Sequence, residues 1–176
     1  MYGIPHIATG DMIREMKELP TDLGRELKVV YDRGDLVSDD LMIRLIRDRL
    51  SRGDTIGGFV LDGFPRTMPQ AEALDHLLRE LGRELDVVFD FQVPHHDLLL
   101  ERMLRRAAEE GRSDDTPDAI RRRLELYERE TAPLVEYYRT TRGNVVGIHA
   151  DRKIEEVFRE IEQSLDEVQR HRKVEA

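Results

Sequence analysis

Residues 57–67, which read GGFVLDGFPRT, constrain the fold of this chain more than any other segment. The continuous apolar run Phe59–Leu61 predicts a parallel strand that is buried on both faces. Asp62 then lies at the carboxyl end of that strand, where open α/β sheets bind ligands. Gly63 permits a close backbone approach, and the guanidinium of Arg66 fits phosphate oxygens. The segment therefore predicts a strand end that holds a metal-bound phosphate and a second anion.

The rest of the chain alternates between short apolar runs and helical patterns, which predicts an α/β fold with a parallel sheet and helices on both faces. The predicted strands are Pro5–Ala8, Phe59–Leu61, Val87–Val93 and Val145–Ile148. The predicted helices lie at Asp11–Met16, Thr21–Asp32, Asp39–Arg52, Pro69–Leu81, His95–Glu110, Ile120–Pro133, Leu134–Arg139 and Ile154–Val168. Asp11 is the predicted N-cap of the first helix.

Length and charge limit the class of protein. A chain of 176 residues can form one domain with a sizeable core. The net charge of -9 argues against binding of nucleic acid or of an acidic membrane surface, although a local basic cleft remains compatible with it. The absence of cysteine excludes a disulfide framework and a thiolate zinc site. No signal peptide or membrane-length apolar run is visible in the sequence, so a cytoplasmic location is the default expectation.

The segment Asp62–Thr67, taken with Gln70, resembles the signature of the nucleoside monophosphate kinases in the form that adenylate kinases carry. Three further segments resemble the same family in the same order, and together they extend over nearly the whole chain: Tyr2–Asp11, Gly34–Val37 and Glu130–Leu134. The resemblance implies a P-loop nucleoside-monophosphate-kinase-like sheet of five strands. It also implies reversible phosphoryl transfer between ATP and AMP to give two ADP, with Mg²⁺ accompanying ATP.

The resemblance implies an AMP site in which arginines hold the phosphate, a glutamine contacts the adenine edge, and a backbone segment packs on the base and ribose. Its residues would be Thr9, Gly10, Arg14, Asp35, Leu36, Val37, Gly63, Arg66, Gln70, Arg112 and Arg123. The implied ATP contacts are Arg102, Arg106 and Arg152. The implied catalytic set is Asp62, Arg66, Arg106, Arg112 and Arg123, with Asp62 orienting Mg²⁺ through water.

Arginines suit this chemistry because phosphoryl transfer depends mainly on positioning and on neutralisation of charge. Arg102 and Arg106 are four residues apart and share a helix face. Consecutive residues of a helix are about 100° apart around its axis, so the three arginines at 121–123 cannot all face one site. We therefore expect Arg105, Arg121 and Arg122 to be solvated surface charges.

The resemblance also implies a division of labour within a single domain over residues 1–176. Residues 9–38, approximately, would form a helical part that binds AMP, and residues 106–123 would form a short lid that includes Asp114 and Asp115. Only five residues separate Arg106 from Arg112, which is too few for a β-structured lid domain. We expect a loop that closes over the phosphates and a protein that is a monomer.

The glycine-rich phosphate loop of this family is not found in the printed sequence, which contains no Gly-Lys pair. The resemblance implies that a strand, this loop and a helix precede Tyr2, and that the strand occupies the middle of the sheet. A misplaced start, a truncated relative and an engineered fragment are the open explanations, and the first is favoured. We expect a groove of unpaired backbone at the strand's place. We also expect little phosphoryl transfer from these 176 residues alone.

Other functions remain open at this stage. A uridylate or cytidylate kinase is one alternative, although Thr67 and Gln70 favour adenine. A non-catalytic module that binds AMP and not ATP is another. A third possibility is that the chain as given does not fold stably. Binding measurements separate the first two alternatives from an adenylate kinase.

Overall fold

Short strands alternate with longer helices in the computed structural model, which describes residues 3–94, 96–111 and 115–175. The strands are β1 (His6–Ala8), β2 (Val60–Asp62), β3 (Val88–Gln92) and β4 (Val145–His149). The helices are α1 (Thr9–Lys17), α2 (Asp22–Asp32), α3 (Asp39–Leu50), α4 (Met68–Glu80), α5 (His96–Glu110), α6 (Pro117–Leu126), α7 (Ala132–Arg142) and α8 (Ile154–Glu175). The predicted α/β class with parallel strands is confirmed.

The strands pair in parallel as two separate sheets within the described part of the chain. β1 pairs with β2, which aligns Ala8 with Asp62. β3 pairs with β4, which aligns Gln92 with His149. Each of these strands therefore has one edge that meets no described strand. The carboxyl end of β2 carries Asp62, as the sequence predicts.

The prediction that the apolar strands are buried on both faces is wrong at two positions. Val60 of β2 is 48 % exposed, and Phe91 of β3 is 51 % exposed. A strand is buried on both faces only where it lies inside a sheet that other layers cover. Because β2 and β3 each pair with a single neighbour among the described strands, part of their apolar surface stays uncovered.

Helix α4 connects the packing around the two sheets. Its residues Leu74, Leu77 and Leu78 belong to one apolar cluster that includes Ile7 of β1 and side chains of α1, α2 and α3. On the same helix, Ala71 packs in a second cluster with α7, beside the first residues of β3 and β4. Burial of each of the three leucine side chains stabilises the arrangement by roughly 1.5–3 kcal/mol.

Threonine side chains fix the starts of several helices. Thr21, Thr67 and Thr116 accept hydrogen bonds from the backbone N–H groups of Gly24, Gln70 and Ala119, respectively. The predicted N-cap role of Asp11 is wrong, because α1 already begins at Thr9. Asp11 lies in the first helical turn, where its carboxylate forms an ion pair with Arg14.

A π-helical turn over Tyr127–Thr131 separates α6 from α7. The sequence predicts an interruption here, because Pro133 has no backbone N–H to donate to the preceding turn. The interruption directs the hydroxyl of Thr131 to the carbonyl oxygen of Arg66, at 2.9 Å. This bond fastens the turn after β2 to the helices that follow the predicted lid.

Candidate functional site

The turn after β2 is stabilised by hydrogen bonds that the side chains of Thr9 and Arg66 donate to two neighbouring carbonyl groups. The hydroxyl of Thr9 lies 3.1 Å from the carbonyl oxygen of Asp62 and 3.0 Å from that of Gly63. The Nε of Arg66 donates to the same Gly63 oxygen at 2.8 Å. Gly63 has φ 75°, and a Cβ there would lie 2.8 Å from the Thr9 hydroxyl. Only glycine fits this junction without strain.

Asp62 presents an exposed carboxylate at the end of β2. Its side chain is 64 % exposed, and one carboxylate oxygen lies 3.1 Å from Nε2 of His6. Within residues 3–94, 96–111 and 115–175, no three acidic or histidine side chains are close enough to hold a bare metal ion. A lone exposed carboxylate instead fits a hydrated Mg²⁺, which keeps several waters and binds through few protein oxygens.

Tyr31, near the end of α2, joins arginines from two other elements. Its hydroxyl accepts a hydrogen bond from Nη1 of Arg14 at 2.8 Å. Its ring lies 5.2 Å from the guanidinium carbon of Arg123, which also donates to the Tyr31 carbonyl oxygen at 3.3 Å. Arg14 from α1 and Arg123 from α6 therefore meet at one aromatic ring.

Arg66 belongs to the same neighbourhood. Burial is the largest cause lowering the pKa of its guanidinium, and the positive charge of Arg123 lowers this pKa further. The nearby Tyr31 and Asp62 act in the opposite direction. Arginine remains charged near neutral pH, and guanidinium groups fit phosphate oxygens, although Arg14 and Arg123 here also pair with the carboxylates of Asp11 and Asp115. We call Arg14, Arg66, Arg123 and Tyr31 the arginine cluster.

Asp115 connects this cluster to α5. Its carboxylate is fully buried and accepts hydrogen bonds from Nε and Nη2 of Arg106, at 3.2 and 2.8 Å. The other oxygen of Asp115 forms an ion pair with Arg123. The structure thus brings Arg106 to the arginine cluster. Arg112 and Asp114 lie outside the described residues.

The predicted backbone segment Asp35–Val37 is placed against α6. Gly34, at φ 76°, approaches Ala119 so closely that a Cβ would lie 2.5 Å from its carbonyl oxygen. Asp35 accepts a hydrogen bond from Nε of Arg122 at 2.9 Å. Leu36 and Val37 are half-buried. Arg122 lies at the surface as predicted, with Asp35 as its partner.

Gln70 is almost completely buried, with 2 % of its surface exposed. Its Oε1 accepts a hydrogen bond from the backbone N–H of Arg66 at 2.8 Å. Its Nε2 donates to a carboxylate oxygen of Asp39 at 2.7 Å. The hydroxyl of Thr67 donates to the same oxygen at 2.9 Å. This bonding holds the amide next to Arg66.

The predicted ATP residues Arg102 and Arg152 lie around the loop after β4. Nη1 of Arg102 donates to the carbonyl oxygen of Ala150 at 2.5 Å, and Nη2 approaches that of Asp151 at 3.5 Å. Nη1 of Arg152 lies 3.7 Å from Glu160. These contacts bring α5 to the 150–152 loop, and among the described contacts none joins Arg102 or Arg152 to the arginine cluster.

Sequence reasoning missed two polar residues of this region, Tyr31 and Asp39. Tyr31 precedes Gly34 by three residues, and Asp39 is the first residue of α3. The helix start at Asp39 was predictable, and it offered a signal for a fixed carboxylate near the AMP segment. Nothing in the local pattern around Tyr31 predicts that its ring meets arginines from α1 and α6.

Parallel strands that end beside converging arginines define an α/β protein that binds phosphate groups. Comparison with known proteins identifies the group more closely. The family profile described as adenylate kinase matches residues 1–143. An adenylate kinase of Xylella fastidiosa strain 9a5c is 46 % identical over 158 residues, which cover 90 % of this chain and 83 % of that protein.

Two other relatives give the same result. An adenylate kinase of Stenotrophomonas maltophilia strain K279a is 44 % identical over 154 residues, or 88 % of this chain and 81 % of the relative. One of Leptospira biflexa strain Patoc 1 / Ames is 48 % identical over 140 residues, or 80 % and 75 %. The chain belongs to the adenylate kinase family. In its described part, no helix is long and apolar enough to cross a membrane.

Proposed function

We propose that this protein catalyses reversible phosphoryl transfer between ATP and AMP to give two ADP. The observation that carries the proposal is the arginine cluster, in which Arg14 and Arg123 contact Tyr31, and Arg66 is bonded through its backbone N–H to the buried amide of Gln70. A phosphate next to a purine edge matches this combination of charges and hydrogen-bonding groups. The names of the relatives support the same reaction.

In the proposed AMP site, Arg14, Arg66 and Arg123 hold the phosphate, and Arg112 joins them from the lid. Gln70 contacts the adenine edge with one donor and one acceptor. The backbone of Asp35–Val37 packs against the base and ribose. Thr9, Gly10 and Gly63 shape the floor of the site at the end of β2. Three arginine charges reduce the repulsion between the phosphates of the two nucleotides, which otherwise opposes their approach.

The proposed donor site is formed by residues of α5 and of the loop after β4, together with Asp62. Arg102, Arg106 and Arg152 contact ATP, and Asp62 holds hydrated Mg²⁺ through water. When bound, Mg²⁺ would neutralise charge that develops on the transferred phosphoryl group. Residues 106–123 form the proposed lid, and its closure excludes water from the phosphates. Arg66, Arg106, Arg112 and Arg123 then surround the transferred group.

AMP binding by one variant in the proposed site and one control variant at the surface tests the proposal without a measurement of turnover. Arg66→Ala should weaken AMP binding about 10–100-fold in isothermal calorimetry, since a charge-assisted contact contributes about 1.5–3 kcal/mol. Arg105→Ala is the matched control, because Arg105 is 61 % exposed and pairs weakly with Glu109 at 3.9 Å. Equal losses for both variants, or no loss for Arg66→Ala, would contradict the site.

We also propose that the protein is cytoplasmic and monomeric. Sedimentation velocity of the purified protein, with and without AMP, tests the oligomeric state. We expect one species at the mass of a single chain, 20.6 kDa. A dimer under both conditions would contradict the monomer.

A further inference from the structure

We propose that Asp39 is a specificity-determining positioning residue: it fixes the orientation of the Gln70 amide and so selects adenine over purines whose six-position is a carbonyl. This inference rests on the proposed AMP site, in which Gln70 contacts the base. The inference adds a residue that does not contact the nucleotide. This residue, Asp39, determines which atom of the Gln70 amide donates to the base and which accepts from it.

The bonding of Gln70 admits only one orientation of its amide group. An ionised carboxylate can only accept hydrogen bonds, so the atom 2.7 Å from Asp39 must be the Nε2 donor. A backbone N–H can only donate, so the atom 2.8 Å from the Arg66 nitrogen must be the Oε1 acceptor. Rotating the amide by 180° would place donor against donor and acceptor against acceptor.

Asp39 is itself held in place. It is the first residue of α3, where the helix dipole favours a negative charge. The oxygen that accepts from Gln70 also accepts from the hydroxyl of Thr67 at 2.9 Å, and Thr67 is the N-cap of α4. The carboxylate therefore joins the starts of two helices. Among the described contacts, Gln70 uses one side-chain donor and one acceptor, which leaves one N–H and one lone pair for a ligand.

A fixed amide distinguishes purines by the direction of their hydrogen bonds. Adenine donates from its 6-amino group and accepts at N1, whereas hypoxanthine and guanine accept at O6 and donate from N1. A freely rotating glutamine could satisfy either pattern by turning over. The orientation set by Asp39 and the Arg66 N–H leaves only the adenine pattern satisfied. A mismatched base would leave buried polar groups unpaired, which costs roughly 10–100-fold in affinity.

Inosine monophosphate is the sharpest probe, because it differs from AMP in this pattern while keeping nearly the same shape. We expect calorimetry to give a ratio of Kd for IMP to Kd for AMP well above one in the parent. Asp39→Asn keeps the shape of Asp39 but can donate as well as accept. It should lower this ratio about tenfold, because one of the two anchors no longer opposes rotation. Asp40→Asn, at the exposed neighbouring position, should leave the ratio unchanged.

Gln70→Ala separates the proposed contact of Gln70 with the base from the proposed positioning role of Asp39. If it brings the ratio close to one while Asp39→Asn keeps the parent ratio, Gln70 contacts the base and the positioning role of Asp39 is overturned. If Gln70→Ala leaves the ratio unchanged, the AMP site itself is wrongly assigned. The ratio compares two ligands on one preparation, so a partly unfolded variant still gives a valid result.

Nuclear magnetic resonance of the parent tests the fixed amide without the Asp39 variant. We expect the side-chain Nε2 signals of Gln70, assigned by their loss in Gln70→Ala, to show one hydrogen protected from solvent exchange by Asp39. Exchange of both hydrogens at the rate of a solvated glutamine would overturn the inference.

Discussion

Gly63 shows how one backbone position supports the proposed site. It combines a positive φ with close approach to two side chains of the proposed site, since a Cβ would lie 2.8 Å from the Thr9 hydroxyl and 2.9 Å from Nη2 of Arg66. Gly82 has a similar φ of 64°, but a Cβ at that position would meet no described atom within 4 Å. The two glycines therefore separate the effect of conformation from that of close approach.

We predict that Gly82→Ala lowers the free energy of unfolding by about 1–2 kcal/mol, because only the left-handed backbone is unfavourable. Gly63→Ala should lower it by about 1–3 kcal/mol more, since the methyl group also crowds Thr9 and Arg66. Urea denaturation of both variants measures the difference. Equal losses would show that the close approach at Gly63 has no energetic cost.

Individual residues also show what sequence could and could not predict. Arg66 and Gln70 were predictable because they occupy fixed places in a short motif. The contact between Arg123 and Tyr31 joins residues that are 92 positions apart, and it depends on how α6 packs against α2. No local sequence pattern predicts a contact between residues so far apart in the chain, so Tyr31 was identified only from the structure.

At the scale of elements, Asp115 fastens the start of the α6 region to α5. Arg106 and Arg123, with which Asp115 pairs among the described contacts, belong to the proposed catalytic set. A fully buried carboxylate between two arginines depends on those charges to offset its desolvation. The same acid therefore contributes both to stability and to the position of two proposed catalytic side chains.

We predict that Asp115→Asn lowers the free energy of unfolding by about 1.5–3 kcal/mol, because it removes the negative charge to which Arg106 and Arg123 are bonded. Asp118→Asn is the control on the same segment. Asp118 is highly exposed in its pair with Arg121, so its loss should cost less than about 1 kcal/mol. Chemical denaturation compares the two, and similar losses would mean that Asp115 is not a structural anchor.

Most element positions were predicted well, but α8 extends to Glu175, beyond its predicted end at Val168, and the predicted burial of the strands was wrong. The helix predicted at Asp39–Arg52 ends two residues earlier, and the strand predicted at Val87–Val93 is one residue shorter at each end. Apolar periodicity and caps determine such positions locally. The exposure of Val60 and Phe91 depends on which strands meet, and a run of apolar letters does not contain that information.

At the scale of the whole molecule, the separation of the strands into two parallel sheets suggests that adding a strand would change the protein's activity. β2 and β3 each pair with one strand in the described part of the chain, whereas the family resemblance predicts a sheet of five strands. A further parallel strand between them would hydrogen-bond on both edges and join the sheets.

We predict that joining a strand, a glycine-rich phosphate loop with its lysine, and a helix from a relative to these 176 residues raises ADP formation at least about 100-fold. The loop would supply backbone N–H groups and a lysine for the donor phosphates. A coupled assay compares the joined protein with the 176-residue chain. Rapid turnover by the latter alone would contradict this prediction.

The most direct test of the central claim is the affinity of the 176-residue protein for four nucleoside monophosphates, measured by calorimetry under one set of conditions. We predict that AMP binds at least about tenfold more tightly than GMP, CMP or UMP, because the arginine cluster holds any phosphate but Gln70 suits only the adenine edge. Equal affinity for all four nucleotides, or no binding of AMP, would contradict an AMP site built on the arginine cluster and Gln70.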